Sequence, residues 1–184
     1  MYDVIVVGGG AAGFYTAIHL AEARPDLKVA ILERGKEVLS KVKVSGGGRC
    51  NVTHAEFDPN ELVKNYPRGE KELRGPFHSY ACGDTVGFFE NRGVRLKIEE
   101  DGRMFPVSDS SQSIIDCFLT EVERLNVKVL KHSAVTDIIK VSKGWQVVTI
   151  KHAYECDKLV VATGSNPKIW KLLQQLGHTI EPAV

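Results

Sequence analysis

Cysteine is sparse and scattered in this chain. Its four residues, at positions 50, 82, 117 and 156, include no CxxC pair, which argues against a disulfide framework or a zinc site and fits reduced thiols in a cytoplasm. Asn51-Val52-Thr53 matches the glycosylation pattern but has no consequence without secretion. No apolar run approaches the roughly 20 residues that cross a bilayer. The apolar start Val4–Val7 runs into glycines with no basic residue before it, so it does not read as a secretory leader. An excess of either charge is also missing. The 24 basic and 23 acidic residues leave a net charge of +1, and no electrostatic reason to expect nucleic acid or an anionic membrane as partner. The six histidines show no metal spacing, and no Ser or Cys nucleophile constellation appears. No residue stands out as catalytic acid or base, and no metal is expected. There is no internal repeat and no low-complexity segment.

What remains is an ordinary globular composition. With 43% hydrophobic residues in 184, the chain can bury roughly 70% of its unfolded surface around one core. Residues 2–7 are β-branched and apolar, as in a buried parallel strand. A glycine turn at 8–13 leads into a helix over 11–23 with a small, apolar face (Ala11, Phe14, Ala17, Ile18, Ala21), ended by Arg24-Pro25-Asp26. Residues 28–33 read as a second buried strand. Beyond this β-α-β unit the chain is less regular. A short helix is expected at 36–42, a glycine loop at 45–49, and helices at 60–66, 69–74 and 83–91, with strands at 94–98 and 103–107. An amphipathic helix at 110–125 carries Ile114, Ile115, Phe118, Leu119, Val122 and Leu125. Strands follow at 127–131, 134–141 and 145–152, the last two joined by the hairpin signal Ser142-Lys143-Gly144. A buried strand at 158–162 and a helix at 166–176 close the pattern.

Gly8-x-Gly10-x-x-Gly13 follows a strand and opens a helix. Gly8 permits the tight turn, Gly10 lets backbone approach a pyrophosphate, and Gly13 lets helix and strand pack closely. The pyrophosphate would sit on the free N–H groups at the positive end of the helix, near Ala11 and Ala12. Glu33 ends the second strand about twenty residues on, placed to accept hydrogen bonds from an adenosine ribose; a carboxylate there disfavours a 2′-phosphate. The motif thus reads as a site for FAD or NAD. Its position at the extreme N-terminus favours FAD, as does the distal strand Lys158–Val161 ending in Ala162-Thr163-Gly164, although such a string also occurs as an ordinary strand end.

Ser45-Gly46-Gly47-Gly48-Arg49-Cys50-Asn51 is the most unusual string. Three glycines are costly to order, so the fold has reason to hold them only where something flat or phosphorylated lies against the main chain, as in an anion-binding nest. The other reading is a flexible linker. Arg49 could place its charge against a reduced cofactor or form a surface salt bridge. Cys50 could be a redox thiol or a small residue packing the loop; no second cysteine lies near it.

These strings together resemble the bacterial NAD(P)/FAD-dependent oxidoreductases of the aminoacetone oxidase type, also called BaiN-like. The match rests on Gly8 to Gly13, Glu33-Arg34-Gly35, Lys41, Ser45 to Thr53, Gly102-Arg103-Met104-Phe105-Pro106, Ala162-Thr163-Gly164 and Leu176 to Ile180. The resemblance implies an α/β, Rossmann-like FAD-binding domain of the two-dinucleotide-binding type, with a β-hairpin or meander layer and a helical excursion. It implies that residues 1–184 are the N-terminal part of a longer protein, whose inserted domain and returning flavin-site segment are absent, and that this part is inactive alone; the other reading is a natural short protein. Gly8, Gly10, Ala11, Ala12 and Gly13 would line the pyrophosphate, Glu33 (with Arg34 beside it) the ribose, and Val135 the adenine. Lys41 and Ser45, Gly46, Gly47, Gly48, Arg49, Cys50 and Asn51 would lie along the flavin, with Ala162, Thr163 and Gly164 completing the cofactor set. Two departures stand out. Leu39 occupies a position where the family usually has glycine, and Ser165–Trp170 replaces a glycine-rich stretch.

The expected function is redox chemistry by bound FAD on a small organic substrate, with O₂ or a nicotinamide, NAD(P)H, as redox partner. The alternatives are a flavin-free NAD-binding domain and a non-enzymatic dinucleotide-binding or redox-sensing module.

Overall fold

A computed structural model describes residues 1–181. In chain order its elements are β1 (Tyr2–Val7), α1 (Ala11–Ala23), β2 (Val29–Leu32), α2 (Ser40–Val44), β3 (Thr53–His54), α3 (Pro59–Leu62), α4 (Glu70–Ser79), α5 (Cys82–Glu90), β4 (Leu96–Ile98), β5 (Arg103–Pro106), α6 (Ser111–Arg124), β6 (Lys128–Leu130), β7 (Val135–Lys140), β8 (Trp145–Thr149), β9 (Ala153–Val161) and α7 (Pro167–Gln175). Short 3₁₀ turns follow α2 and α3. The chain divides into two compact units, one formed by Met1–Ser40 with the chain from Phe118 onward, the other by Lys41–Cys117.

The first unit is built on a six-stranded sheet in the order β6-β2-β1-β9-β8-β7. The first four strands are parallel and the last three antiparallel. This is an α/β Rossmann-like fold with a mixed sheet. The central strands carry β-branched and apolar residues on both faces because both faces are covered. Val4 to Val7 and Val29 to Leu32 are all buried. Helix α1 turns Gly13, Phe14, Ala17, Ile18 and Ala21 inward, and Phe14 meets Phe118 of α6 with ring centroids 5.9 Å apart.

The meander is not a separate layer. Strand β9 is one nine-residue strand that pairs with β8 over its first half and with β1 along most of its length. The expected strands at 145–152 and 158–162 are therefore revised to β8 and a longer β9, with a second hairpin at 149–152. That turn, Thr-Ile-Lys-His, has no Gly, Pro, Asn or Asp to announce it. The buried hydroxyl of Thr149 closes it instead, donating to the His152 carbonyl at 2.7 Å and accepting from the His152 N–H at 3.0 Å.

The second unit holds a three-stranded antiparallel sheet, order β3-β5-β4. Strand β3 is too short to show a period in sequence. Helix α4 runs past the expected stop at 74 and accommodates Pro76 in its interior. In α6, Ile114, Ile115, Phe118 and Val122 are buried while Leu119 is 37% exposed, so the apolar stripe is narrower than the sequence suggests.

The short helix expected at 36–42 begins only at Ser40. Leu39 stands in the left-handed region with φ 57, buried to 1%. This is the position where glycine is usual in the family resembled, and the backbone adopts the conformation that glycine favours. The strain of that conformation is roughly 1–2 kcal/mol, whereas deleting a buried leucine side chain costs roughly 2–5 kcal/mol. Leu39→Gly is therefore expected to destabilise the chain by roughly 1–3 kcal/mol in denaturant unfolding; a gain in stability would show that strain dominates at this position.

Candidate dinucleotide site

Strand β1 delivers the chain to Gly8, which has φ +119 and lies against β9: a Cβ there would run into the carbonyl of Ala162. At Gly13 a Cβ would strike the carbonyl oxygen of Gly8. Those two glycines let helix α1 begin in close contact with the strand turn. Gly10 differs. It is the N-cap of α1, in extended conformation, and beyond its chain neighbours nothing lies within 4 Å of where a Cβ would be. No side chain caps α1 and no acidic residue occupies its first turn, and Ala11 and Ala12 are exposed. The first amides of a helix have no partner within the helix, and together with the dipole they favour an anion. The open space at Gly10 is a cradle that a side chain would fill, and it fits a pyrophosphate.

Glu33 follows β2 and is half-buried. Its carboxylate accepts from the Gly9 N–H at 3.0 Å and from the Gly35 N–H at 2.7 Å. Its backbone is also held, with its N–H donating to Leu130 and its carbonyl accepting from Ser133. A carboxylate offers about four acceptor positions, so two remain for the hydroxyls of a ribose. The carbonyl of Gly9 accepts from the Leu39 N–H at 2.7 Å. The glycine turn is thus fixed from both sides, by an acid and by the strained segment after it. Val135 packs on the core cluster that contains Ile5, Val7 and Leu32. Gly8, Gly10, Gly13, Glu33, Ala162 and Thr163 come together at one end of the parallel strands, where ligands of such sheets bind. Gly164 follows with φ 58. Arg34 is exposed.

In the second unit, Lys41 is exposed on α2. The loop after it passes through the left-handed region at Gly46, Gly47 and Gly48 (φ 56, 68 and 88) and again at Cys50 (φ 64). Ser45 caps the preceding turn by donating to the Val42 carbonyl. Gly47 has nothing within 4 Å of a Cβ position, and Asn51 is exposed. The loop is ordered structure rather than a linker. Arg49 is in the salt bridge that the sequence left open: it pairs with Glu99 and lies 3.5 Å from Asp109. Cys50 is buried, and burial pushes its thiol above the usual range. That favours the protonated form and speaks against a thiolate nucleophile. Arg103 pairs with Asp101 at 2.7 Å.

Several participants were not foreseen from sequence. The Gly9 and Gly35 amides that hold Glu33, and the Leu39 amide on Gly9, are backbone groups that carry no residue-type signal. Glu99 and Asp109 are distant in sequence from Arg49, and only the neighbouring Gly102–Pro106 string pointed to that part of the chain.

A family model described as HI0933-like protein Rossmann domain matches residues 2–183. The 3-dehydro-bile acid delta(4,6)-reductase of Clostridium scindens is 28% identical over 192 residues, covering 100% of this chain and 46% of the relative. The ribosomal RNA dihydrouridine synthase of Escherichia coli is 28% identical over 189 residues, covering 98% of this chain and 46% of the relative. The chain thus spans about half the length of these curated relatives. Among solved structures, THI4 of Thermovibrio ammonificans matches with a TM-score of 0.64 at 16% identity, over 97% of this chain and 64% of that one. Glycine oxidase of Geobacillus kaustophilus matches with a TM-score of 0.55 at 19% identity, over 97% of this chain and 59% of that one. At such identities the likeness shows a shared fold.

The glycines separate fold from binding. Gly13→Ala forces a methyl against backbone and is expected to cost roughly 1–3 kcal/mol or more in thermal or denaturant unfolding. Gly10→Ala is expected to cost about 1 kcal/mol or less, as an N-cap change, while weakening dinucleotide binding at least about tenfold by filling the cradle. Equal affinity of Gly10→Ala and the unaltered chain would place the phosphates elsewhere.

Proposed function

The chain belongs to the HI0933-like family of FAD-binding Rossmann domains, and from that premise we propose that it is the FAD-binding half of an oxidoreductase acting on a small organic substrate. The observation that carries this reading is Glu33. Its carboxylate is pinned by two backbone amides beside the uncapped start of α1, with acceptor capacity left over for two hydroxyls. That arrangement suits the ribose and pyrophosphate of an ADP moiety, and a carboxylate there repels a 2′-phosphate.

When bound, FAD supplies the hydride and electron chemistry. The chain's own contribution is binding and orientation. The α1 amides hold the pyrophosphate, Glu33 the ribose, and Gly8 with Ala162–Gly164 bring main chain close to the cofactor. Val135 is assigned to the adenine side, and Lys41 with Ser45–Asn51 to the flavin. Two supports favour FAD over NAD: the family, and the meander that runs into β9 and ends in Ala162-Thr163-Gly164. A reduced nicotinamide as electron donor draws support from a relative that is a reductase by name. The narrower assignment to the aminoacetone oxidase type rests on the motifs alone. Among the described residues, no helix is long and apolar enough to cross a membrane.

FAD is expected to raise the unfolding temperature more than NAD. At a hundred times its dissociation constant it should add about 2.7 kcal/mol of stability. Glu33→Ala should weaken FAD binding by roughly 10- to 100-fold, the worth of hydrogen bonds to a charged group. A shift with NAD alone supports the flavin-free reading. No shift with either sinks the dinucleotide site. Binding of FAD by the complete protein without turnover from any electron donor supports the sensing module.

A further inference from the structure

The 45–51 loop places four residues in the left-handed region, Gly46, Gly47, Gly48 and Cys50, and its 3₁₀ turn is closed by the Arg49 N–H on Gly46 and Ser45 and by the Cys50 N–H on Ser45. Glycines have little intrinsic preference for such a shape. The buried ring of Phe105 in β5 meets the loop twice. A Cβ at Gly46 would lie 2.8 Å from its Cε1, and the Arg49 guanidinium carbon sits 4.0 Å from its centroid. Arg49 donates through Nη1 to Glu99, with Nη2 3.5 Å from the second carboxylate oxygen, and approaches Asp109 at 3.5 Å. Asp109 is itself paired with Lys97. Two cations and two carboxylates thus form a neutral quartet beside an aromatic ring.

The geometry assigns Arg49 as a positioning residue: a guanidinium strut, neutralised by Glu99 and Asp109 and stacked on Phe105, that holds the glycine loop in its left-handed shape. A planar fork that stacks and pairs at once is a job for arginine and not for lysine. Pairing with two carboxylates weakens the field that the Arg49 charge presents to a reduced flavin. On the FAD reading, electrostatic help to a reduced flavin then falls mainly to the loop's main chain. The part concerning flavin rests on the FAD reading above; the strut itself does not.

Two readouts test it on the full chain, with Glu99→Gln, Arg49→Lys and the double variant. The first uses no flavin. Hydrogen exchange of the amides at 46–51 should quicken by about tenfold or more in each single variant, with β1 and β2 unchanged as proof of folding. Unchanged loop exchange overturns the strut. The second is the midpoint potential of bound FAD. A strut moves it in the same direction in both single variants, and the double variant goes no further than the larger of them. A potential near the unaltered value in Arg49→Lys that rises in Glu99→Gln, as a freed cation would produce, overturns it. Should the unaltered chain bind no FAD, the FAD reading fails, and exchange alone decides the strut.

Discussion

Everything at the candidate dinucleotide site depends on one backbone contact, the carbonyl of Gly8 packed where any side chain at position 13 would have to be. That contact sets how near the first turn of α1 comes to the end of β1. The first amides of the helix have no side-chain cap and the space at Gly10 is open, an arrangement that favours an anion. The neighbouring strands supply the rest of the constraint. Gly8 lies against Ala162 from one side, and Glu33 reaches Gly9 from the other. A site of this kind spends little on side chains. Its selectivity comes from where main chain is allowed to approach, and at the glycine turn Glu33 contributes the charge.

The carboxylate is preorganised rather than merely present. Two amides orient it before any ligand arrives, and the Leu39 amide secures the Gly9 carbonyl on the same turn. The fold tolerates a left-handed leucine at that point because burial of its side chain outweighs the backbone cost. The second unit shows the same economy, with glycines setting a loop's path and non-local side chains holding it.

Where sequence reading succeeded, it did so because local chemistry and tertiary demand agree. Strand β1 and helix α1 were read to the residue, since β-branched residues, three spaced glycines and a small apolar face admit few alternatives. The turn and packing roles of Gly8 and Gly13 followed from the same logic. The misses have physical causes. The turn at 149–152 is closed by a threonine hydroxyl rather than a turn residue, so β9 looked half its length. The delayed start of α2 follows from the hydrogen bond between Leu39 and Gly9, a contact thirty positions apart that propensity does not encode. The partners of Arg49, Glu99 and Asp109, lie far downstream in the chain, and only the fold brings them to it. The chain's membership in the HI0933-like family agrees with the motifs that were legible, whereas substrate and redox partner leave no mark in the residues described.

The most direct measurement of the central claim is a crystal structure of the chain grown with FAD. The expected result is a diphosphate within hydrogen-bonding distance of the α1 amides at Ala11 and Ala12, and a ribose whose hydroxyls donate to the Glu33 carboxylate while Gly9 and Gly35 keep their bonds to it. A diphosphate bound away from residues 8–13, or a Glu33 turned from the ribose, would contradict the account.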